Sequence, residues 1–391
     1  MENGGVSMRK IGVVTTSRAD YGVYLPILQK ISLHPNLKLL LYVTGMHLRP
    51  EYGNTVSAIK EDGFAIVKKV DMLSSSDLPL EIAKSMGRGT MGFAEAFKDV
   101  RPDILVVLGD RFEMHAAAIA AIPFGIPIAH IHGGELTEGS FDEYFRHSLT
   151  KISHLHFAST ESYAKRIIQM GEEPWRVVIS GAPGLDNIQL LPRIQQKDLE
   201  KKFKISFAKP IILATFHPVT LEHEKTEEYI GNFLEAVSSF VDYGLVFTCP
   251  NADTSNQIIS RKIKHFVVSH THSFFVENFG QQGYLSMMAY AKTVVGNSSS
   301  GVIEAASFKL PVVNIGSRQN GRIKGKNVID VGYTSSEIKE GLRKALSEEF
   351  KNSLWNLTNP YGDGKASERI VETLAKVDLQ KIKMKRFYNY G

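Results

Sequence analysis

Short apolar runs rich in β-branched residues alternate with segments of helical spacing along most of this chain. In the first half, the runs that predict buried strands are Ile11–Thr16, Leu37–Thr44, Ile104–Leu108, Ile126–Ile131, Leu155–Ala158 and Val177–Ser180. The alternation then begins again, with predicted strands at Ile211–Phe216, Gly244–Cys249, Ser273–Val276, Thr293–Gly296 and Pro311–Ile315. Such runs, separated by helices, are typical of a parallel sheet covered on both faces. The sequence therefore predicts an α/β protein of two doubly wound halves with a cleft between them.

The boundaries of these halves follow from length and polarity. A chain of 391 residues predicts about two domains, at roughly 100–200 residues each. The segment Gln189–Lys209 is polar and charged, which is typical of a linker with a short helix. We therefore expect an N-terminal Rossmann-like domain over 8–188 and a C-terminal one over 189–364. A last segment, 365–391, contains the predicted helix Ala366–Lys376.

Composition excludes several classes of protein. Hydrophobic residues make up 43% of the chain and charged residues 22%, both near the globular norm. The net charge of +5 lacks the concentrated basic face that binding to nucleic acid requires. No apolar stretch approaches the ~20 residues that cross a bilayer, so we expect no membrane contact. Cys249 is the only cysteine, which excludes an intrachain disulfide and favours a reducing, cytoplasmic location.

A polar loop follows the first predicted strand and opens a helix. It contains Ser17, Arg18 and Asp20. A helix N-terminus attracts phosphate and an arginine adds a fork of donors, so Arg18 and Asp20 are candidates for ligand binding. In the alternative interpretation, Ser17 or Asp20 caps the helix and Arg18 is solvated.

Asp110 and Arg111 follow the third predicted strand in the same way. Ligands of open parallel sheets bind at the carboxyl ends of the strands, where both residues are expected. A carboxylate beside an arginine at this position is a candidate catalytic group, with Arg111 as a candidate ligand-binding residue. A capping role is the alternative for Asp110.

The sequence HIHGGE follows the fourth predicted strand. Strand alternation places His130 and His132 on the same face, as two metal ligands would be. The absence of a nearby thiolate and of an HExxH motif argues against a metal, and we expect none. Two glycines then let the backbone approach a ligand, and Glu135 follows at the mouth of the strand. Asp142 begins the next helix, either as an acid or as a cap.

The second half repeats this arrangement of polar residues at strand ends. His217 follows its first predicted strand and could titrate near working pH, although a structural role is as plausible. Arg318 follows a later strand. It adds a cation at the same edge of the sheet.

A serine-rich loop, formed by Ser298, Ser299, Ser300 and Gly301, lies between a predicted strand and a helix. Its amides and hydroxyls, with the helix dipole, predict an anion site. Glu304 lies one turn into the helix, where it could accept from a ribose diol. A serine-capped helix with a capping-box carboxylate is the alternative.

Taken together, these segments resemble the hydrolysing UDP-N-acetylglucosamine 2-epimerases. The resemblance extends in order from Ser17 to Arg322, which makes it far more specific than any single motif. Neither a GxGxxG fingerprint nor a Walker A motif occurs, so the NAD-dependent route to sugar epimerisation is not indicated. The matching segments are SRADYG, GDRFEM, HIHGGELTEG, FDEYFRH, TFHPVT, CPNADT, GNSSSGVIEA and GSRQNGR.

The resemblance implies a GT-B fold of two Rossmann-like domains in a homodimer or homotetramer. The N-terminal domain would carry the catalytic carboxylates, the C-terminal domain would bind UDP, and the last helix would pack back on the N-terminal domain. It also implies roles for individual residues. The catalytic residues would be Asp110, Asp142 and His217; Arg18, Ser298 and Ser299 would bind the diphosphate, Glu304 the ribose, and Asn251 and Arg318 the substrate.

One position departs from the family pattern. Much of the family has glutamate where this chain has His132, followed by a shorter loop. We assign the third catalytic role to Glu135, with His132 as the alternative. The long loop also resembles the branch that acts on UDP-2,4-diacetamido-2,4,6-trideoxyglucose in legionaminic-type sugar synthesis.

The resemblance implies conversion of UDP-N-acetylglucosamine and water to UDP and N-acetylmannosamine, a precursor of sialic acid, without a cofactor. The reaction would eliminate UDP to form a 2-acetamidoglycal, which is then hydrated. The diacetamido sugar is the alternative substrate. A non-hydrolysing epimerase, a GT-B glycosyltransferase and a non-catalytic nucleotide-sugar binding module are the alternative functions.

Overall fold

The computed structural model describes residues 8–50, 53, 55–74, 76, 78–136, 141–219, 224–250 and 256–389. These residues form two compact units. Residues 8–136, 141–187 and 364–389 belong to the first unit, and residues 188–363 belong to the second. The described residues from 364 onward therefore belong again to the first unit.

The first unit is built on a parallel sheet that has seven strands in the described part of the chain, in the order β3-β2-β1-β4-β5-β6-β7. Its central strands are buried apolar runs, as expected for a sheet covered on both faces. The strands are β1 Arg9–Thr15, β2 Leu37–Thr44, β3 Ile66–Val70, β4 Ile104–Leu108, β5 Ile128–Ile131, β6 Leu155–Ala158 and β7 Val177–Ile179.

Helices connect these strands. They are α1 Arg18–Leu33, α2 Val56–Glu61, α3 Pro79–Asp99, α4 Phe112–Ala121, α5 Asp142–Ile152 and α6 Glu161–Gln169. The short α7 Asn187–Leu190 follows β7, where the sequence passes from the first unit to the second. Short 3₁₀ turns lie at Gly45–Leu48, Pro174–Arg176 and Pro183–Asp186. One hydrophobic cluster joins the faces of α1, α3 and α4 to the sheet.

The second unit repeats the pattern with a parallel sheet that has six described strands, in the order β10-β9-β8-β11-β12-β13. Its strands are β8 Ile211–Thr215, β9 Gly244–Thr248, β10 Ser273–Val276, β11 Thr293–Gly296, β12 Val312–Ile315 and β13 Val328–Val331. Its helices are α8 Gln196–Phe203, α9 Thr226–Ser238, α10 Asn256–Ser269, α11 Gly280–Tyr290, α12 Ser299–Ile303, α13 Ser335–Leu346 and α14 Glu348–Ser353. A 3₁₀ turn, Ala305–Phe308, continues α12.

The last two helices, α15 Ala366–Lys376 and α16 Leu379–Lys383, belong to the first unit. Ile370 and Leu374 are fully buried in the hydrophobic cluster of that unit. Asp186 accepts hydrogen bonds from the amides of Ala366 and Ser367 at 3.0 and 2.7 Å. A side chain at the end of the first Rossmann-like segment therefore caps a helix about 180 residues later.

The predicted fold class is confirmed, since both halves are parallel sheets covered by helices. Two edge strands, β3 and β13, were not expected from the sequence. The helix expected after the serine-rich loop is divided into α12 and a 3₁₀ turn. Among the described residues, no helix combines the length and the apolar character that crossing a membrane would require.

Candidate active site

The polar loops after β1, β2, β4 and β5 lie at one edge of the first sheet, because all of these strands run in parallel. At the end of β1, the Asp20 carboxylate accepts from the amides of Thr16 and Ser17, both at 3.0 Å, and Ser17 completes a capping box at the start of α1. Burial raises the pKa of Asp20, although hydrogen bonds from Thr15 and Thr16 oppose the shift. Asp20 therefore holds the loop in shape, and Arg18 is exposed.

His47 lies in the 3₁₀ turn after β2 and was not identified from the sequence. Its Nε2 is 3.0 Å from the hydroxyl of Thr15, and its Nδ1 is 2.7 Å from the hydroxyl of Thr55. Burial lowers the pKa of His47 to about 4, so the ring is neutral at pH 7. No sequence pattern around this histidine indicated a role. The fold is what brings it beside the loop after β1.

Asp110 lies directly after β4 and forms an ion pair with Arg146 of α5. Arg146 is buried and also donates to the carbonyl of His132 at 2.8 Å, after β5. A single guanidinium therefore binds two neighbouring strand ends. Arg146 was not identified as a site residue from the sequence.

Arg111 follows Asp110 and pairs with the fully buried Glu113. The Nη2–Oε1 and Nε–Oε2 distances are 2.6 and 3.1 Å. Burial alone would lower the pKa of Arg111, but the carboxylate of Glu113 holds it above its ordinary value. Arg111 is thus already bound through two donors.

His130 is fully buried within β5. Its Nε2 is 2.7 Å from the carbonyl of Gly109, and its Nδ1 is 3.3 Å from the hydroxyl of Thr150. Burial lowers its pKa to about 3. Both nitrogens face protein groups, so His130 does not extend toward a ligand in the way that a metal-binding pair with His132 requires. Within the described ranges, no three His, Cys, Asp or Glu side chains are grouped as metal ligands.

Beyond β5 the chain turns sharply. His132 adopts a left-handed conformation, with φ of 63°, and its Nδ1 is 2.6 Å from Oε1 of Glu135. The hydroxyl of Ser159 donates to the same oxygen at 2.8 Å. Glu135 is only 4% exposed. The two candidates for the third role are therefore in direct contact.

Asp142 is the first residue of α5, and the N-cap position belongs to Phe141. Asp142 is half-buried, and its charge acts on Arg111.

In the second unit, His217 follows β8 and is held by Asn297, which follows β11. The amide of His217 donates to Oδ1 of Asn297 at 2.7 Å, and Nδ2 of Asn297 donates to the carbonyl of His217 at 2.9 Å. The strand ends approach closely because Gly296 has φ of 133°; a β-carbon there would lie 1.9 Å from the carbonyl oxygen of Thr215. Burial, and then the charge of Arg318, lower the pKa of His217 to about 3.

Arg318 and Gln319 surround the same asparagine. Nη1 of Arg318 and Nε2 of Gln319 donate to the carbonyl of Asn297 at 3.1 and 2.9 Å. Asn297 therefore hydrogen-bonds both to the backbone of His217 and to the side chains of Arg318 and Gln319. Neither Asn297 nor Gln319 was assigned a role from the sequence, and Asn251 lies outside the described residues.

The serine-rich loop forms a small hydroxyl network. Ser298 caps α12, and its hydroxyl lies 3.0 Å from that of Ser300, which is 2.7 Å from the hydroxyl of Tyr284. Ser299 is half-exposed, and Gly301 is buried. Since α12 has only five residues, hydroxyls and amides, rather than a macrodipole, are what the loop offers to an anion.

Glu304 follows α12 with an unusual carboxyl group. Its Oε2 is shielded from solvent and has no hydrogen-bond partner in the part of the chain that the structure describes. Burial raises the pKa of Glu304 to about 8. A buried oxygen without a partner is unfavourable unless a ligand donates to it.

Two parallel α/β units, with acid–base groups at the strand ends of one, are typical of enzymes that bind a ligand at the carboxyl ends of their strands. The other unit has a hydroxyl-rich loop and a shielded oxygen of Glu304 that has no hydrogen-bond partner among the described residues. The chain belongs to the UDP-N-acetylglucosamine 2-epimerase family, whose sequence model matches residues 29–375. This confirms the predicted family.

Two relatives are similar over nearly their whole length. The hydrolysing GDP/UDP-N,N'-diacetylbacillosamine 2-epimerase of Campylobacter jejuni is 38% identical over 384 residues, covering 98% of this chain and 99% of the relative. The hydrolysing UDP-N,N'-diacetylbacillosamine 2-epimerase of Legionella pneumophila is 39% identical, covering 95% and 97%. The solved UDP-GlcNAc 2-epimerase of Neisseria meningitidis, bound to UDP-GlcNAc, has the same fold, with a TM-score of 0.79 at 21% identity, covering 94% of this chain and 100% of that structure.

Proposed function

We propose that this protein is a hydrolysing 2-epimerase that converts a UDP-linked 2-acetamido sugar and water into UDP and a free sugar inverted at C2. The observation that supports this most is the double contact of Arg146, which binds the carboxylate of Asp110 and the backbone of His132. One buried guanidinium thereby fixes the groups that would exchange protons with the sugar. Inversion at an unactivated carbon requires such an acid and base.

The second unit would bind the nucleotide. A ribose diol offers two hydroxyl donors, and Glu304 has a shielded carboxylate oxygen that lacks a donor among the described residues. The hydroxyls and amides of Ser298 and Ser299 would bind the diphosphate.

The first step would be elimination of UDP. The C1–O bond breaks with its electron pair leaving on the diphosphate, and a base takes the C2 proton so that the C–H pair forms the C1=C2 bond of a 2-acetamidoglycal. His217, which is neutral at pH 7, would donate a ring N–H to the departing oxygen. Arg318 beside it would stabilise the negative charge.

The second step would be hydration. A water oxygen bonds to C1 while its proton passes to a carboxylate, and the π pair takes a proton at C2 from the opposite face. The two faces require separate groups, for which Asp110, Asp142 and the pair at the end of β5 are the candidates. No other reactant is needed, because elimination removes UDP and one proton, and water then supplies the hydroxyl at C1 and a proton for C2.

Two UDP-linked sugars are candidate substrates. N,N'-diacetylbacillosamine, which is named in both relatives, is a 2,4-diacetamido-2,4,6-trideoxy sugar, so we favour its UDP-linked form. UDP-N-acetylglucosamine is the second candidate. The resemblance of the long HIHGGE loop to the branch that acts on the diacetamido sugar also supports the first.

Incubation with each sugar nucleotide tests the function. We expect UDP and a free reducing sugar inverted at C2, with one solvent deuterium at C2 when the reaction is run in D₂O. NMR of the products measures both. A UDP-linked product would identify a non-hydrolysing epimerase, and release of UDP only with an added acceptor would identify a glycosyltransferase.

A further inference from the structure

The turn after β5 fixes the direction of one imidazole. The amide of His132 donates to the carbonyl of Phe157 at 3.1 Å, and its own carbonyl accepts from Arg146. Two residues later, Gly134 has φ of 75°, and a β-carbon there would lie 2.4 Å from the carbonyl oxygen of Tyr163. The left-handed conformation of His132 is thus held from both sides, as expected where a backbone directs a functional side chain.

The side chains of this turn form a chain of hydrogen bonds. Ser159 donates to Oε1 of Glu135, and the same oxygen lies 2.6 Å from Nδ1 of His132. The Glu135 side chain is 5% exposed and that of His132 is 13% exposed. The carboxylate therefore contacts the Nδ1 side of the imidazole, and Nε2 lies on the ring edge that faces away from this contact.

We propose that His132 is the catalytic proton-transfer residue at the end of β5 and that Glu135 is a positioning residue acting through it. This inference rests on the proposed function. A carboxylate that accepts from Nδ1–H leaves the lone pair on Nε2 and stabilises the imidazolium once that atom is protonated.

The step is balanced. Nε2 takes the C2 proton, the C2–H electron pair forms the C1=C2 bond, and the C1–O pair leaves with UDP. A different group returns a proton to C2 from the other face during hydration. The imidazolium then releases its proton to solvent, which restores the starting state.

Three variants test the pair. We expect His132→Gln and Glu135→Gln to lower kcat by about 10²–10⁴-fold. UDP affinity in a calorimetric titration should change by less than about 2-fold, because neither side chain is assigned to the nucleotide. Glu143→Gln is the matched control: it removes a second Glu–His pair, 3.0 Å from His147 on α5, and should leave kcat within about 3-fold.

Added imidazole should restore turnover to His132→Gly but not to Glu135→Gln. If the wild type is active, a near-normal kcat in His132→Gln or Glu135→Gln would overturn this inference but not the proposed function. A wild type that releases no UDP from either sugar would overturn the proposed function as well.

Nitrogen-15 NMR of the histidines gives a readout that needs neither turnover nor a folded variant. In the free wild-type enzyme, the proton of neutral His132 should reside on Nδ1. A neutral ring protonated on Nε2 would mean that Glu135 does not set the tautomer, and would contradict the inference directly.

Discussion

At the residue scale, Glu304 has a carboxyl group that burial keeps largely protonated at pH 7. With a pKa of about 8, it must lose a proton before it can accept from two ribose hydroxyls as a carboxylate. Nucleotide binding and deprotonation would then be linked, since a ligand that binds the ionised form draws the proton off. Affinity for UDP should rise with pH up to about 8 and level off above it.

Calorimetry of UDP binding at pH 7 in buffers with different ionisation enthalpies measures this proton release. We expect release in the wild type and its loss in Glu304→Gln, with binding weakened by about 1.5–3 kcal/mol, as for a hydrogen bond to a charged group. Glu337→Gln is the control, because that exposed carboxylate caps α13. Unchanged proton release in Glu304→Gln would mean that Glu304 is not the group that loses a proton when UDP binds, and would contradict its assignment to the ribose.

Asp110 offers a second prediction at this scale. Asp110→Asn keeps the shape of the side chain but removes the charge that Arg146 binds, so we expect intact UDP binding and a kcat reduced by about 10²–10⁴-fold. Asp103 lies just before the same strand and accepts from the amide of Lys10 at 2.7 Å. Asp103→Asn should therefore leave kcat nearly unchanged. Equal losses in the two variants would indicate a structural role for Asp110.

At the element scale, central strands were the most predictable. The predicted bounds of Leu37–Thr44 and Ile104–Leu108 agree with β2 and β4, because both strands are mostly buried runs of apolar residues. The edge strands β3 and β13 were not predicted: one carries two lysines and the other an aspartate, so neither is a continuous apolar run. The other two edge strands, β7 and β10, carry no charged residue, and both were predicted.

The site residues were also predictable only in part. Residues directly after predicted strands, such as Asp110 and His217, could be identified from position alone. Arg146, His47 and Asn297 could not, because their roles depend on contacts with residues 32 to 80 positions away. Sequence order does not contain these contacts; the parallel sheets create them.

The cap that Asp186 provides to α15 gives an element-scale prediction. Asp186→Ala would leave two helix amides without an acceptor at a position that is 2% exposed, so the free energy of unfolding should fall by about 2 kcal/mol, the upper range for a cap. Urea denaturation measures it. Asp378→Ala, which removes the exposed cap of α16, should cost less. Equal effects would argue against a special role for the buried cap.

At the scale of the whole molecule, the chain returns to its first unit and is fastened there by buried charges. Arg176 is fully buried and donates to the carbonyls of Ile382 and Met384 at 2.8 and 2.7 Å. Lys385 forms an ion pair of 2.7 Å with Glu172, a fully buried carboxylate that also binds Lys151. The C-terminal segment is therefore part of the folded first unit.

The buried ion pairs of Glu172 should make the free energy of unfolding depend on pH. Burial opposes ionisation of Glu172, but His156, Lys151 and Lys385 lower its pKa to about 2, below the ordinary 4.5. A carboxylate whose pKa is depressed by folding stabilises the protein above its unfolded pKa, and that contribution is lost as the pH falls from about 4.5 through about 2. Glu172→Gln leaves the lysines without their buried partner. We expect it to lower the free energy of unfolding at pH 7 by about 3 kcal/mol, the lower end for a broken buried pair.

The control is Glu161→Gln, which breaks an exposed pair with Lys165 and should cost less than about 1 kcal/mol. Urea denaturation at pH 7 and at pH 3 measures both variants. The difference between Glu172→Gln and the wild type should shrink at pH 3, because pH 3 lies below the ordinary pKa of 4.5 and above the native pKa of about 2. Glu172 is then protonated in the unfolded chain but still ionised in the native protein, so proton uptake favours unfolding of the wild type. A difference that is the same at both pH values would mean that packing, not charge, holds the C-terminal segment in place.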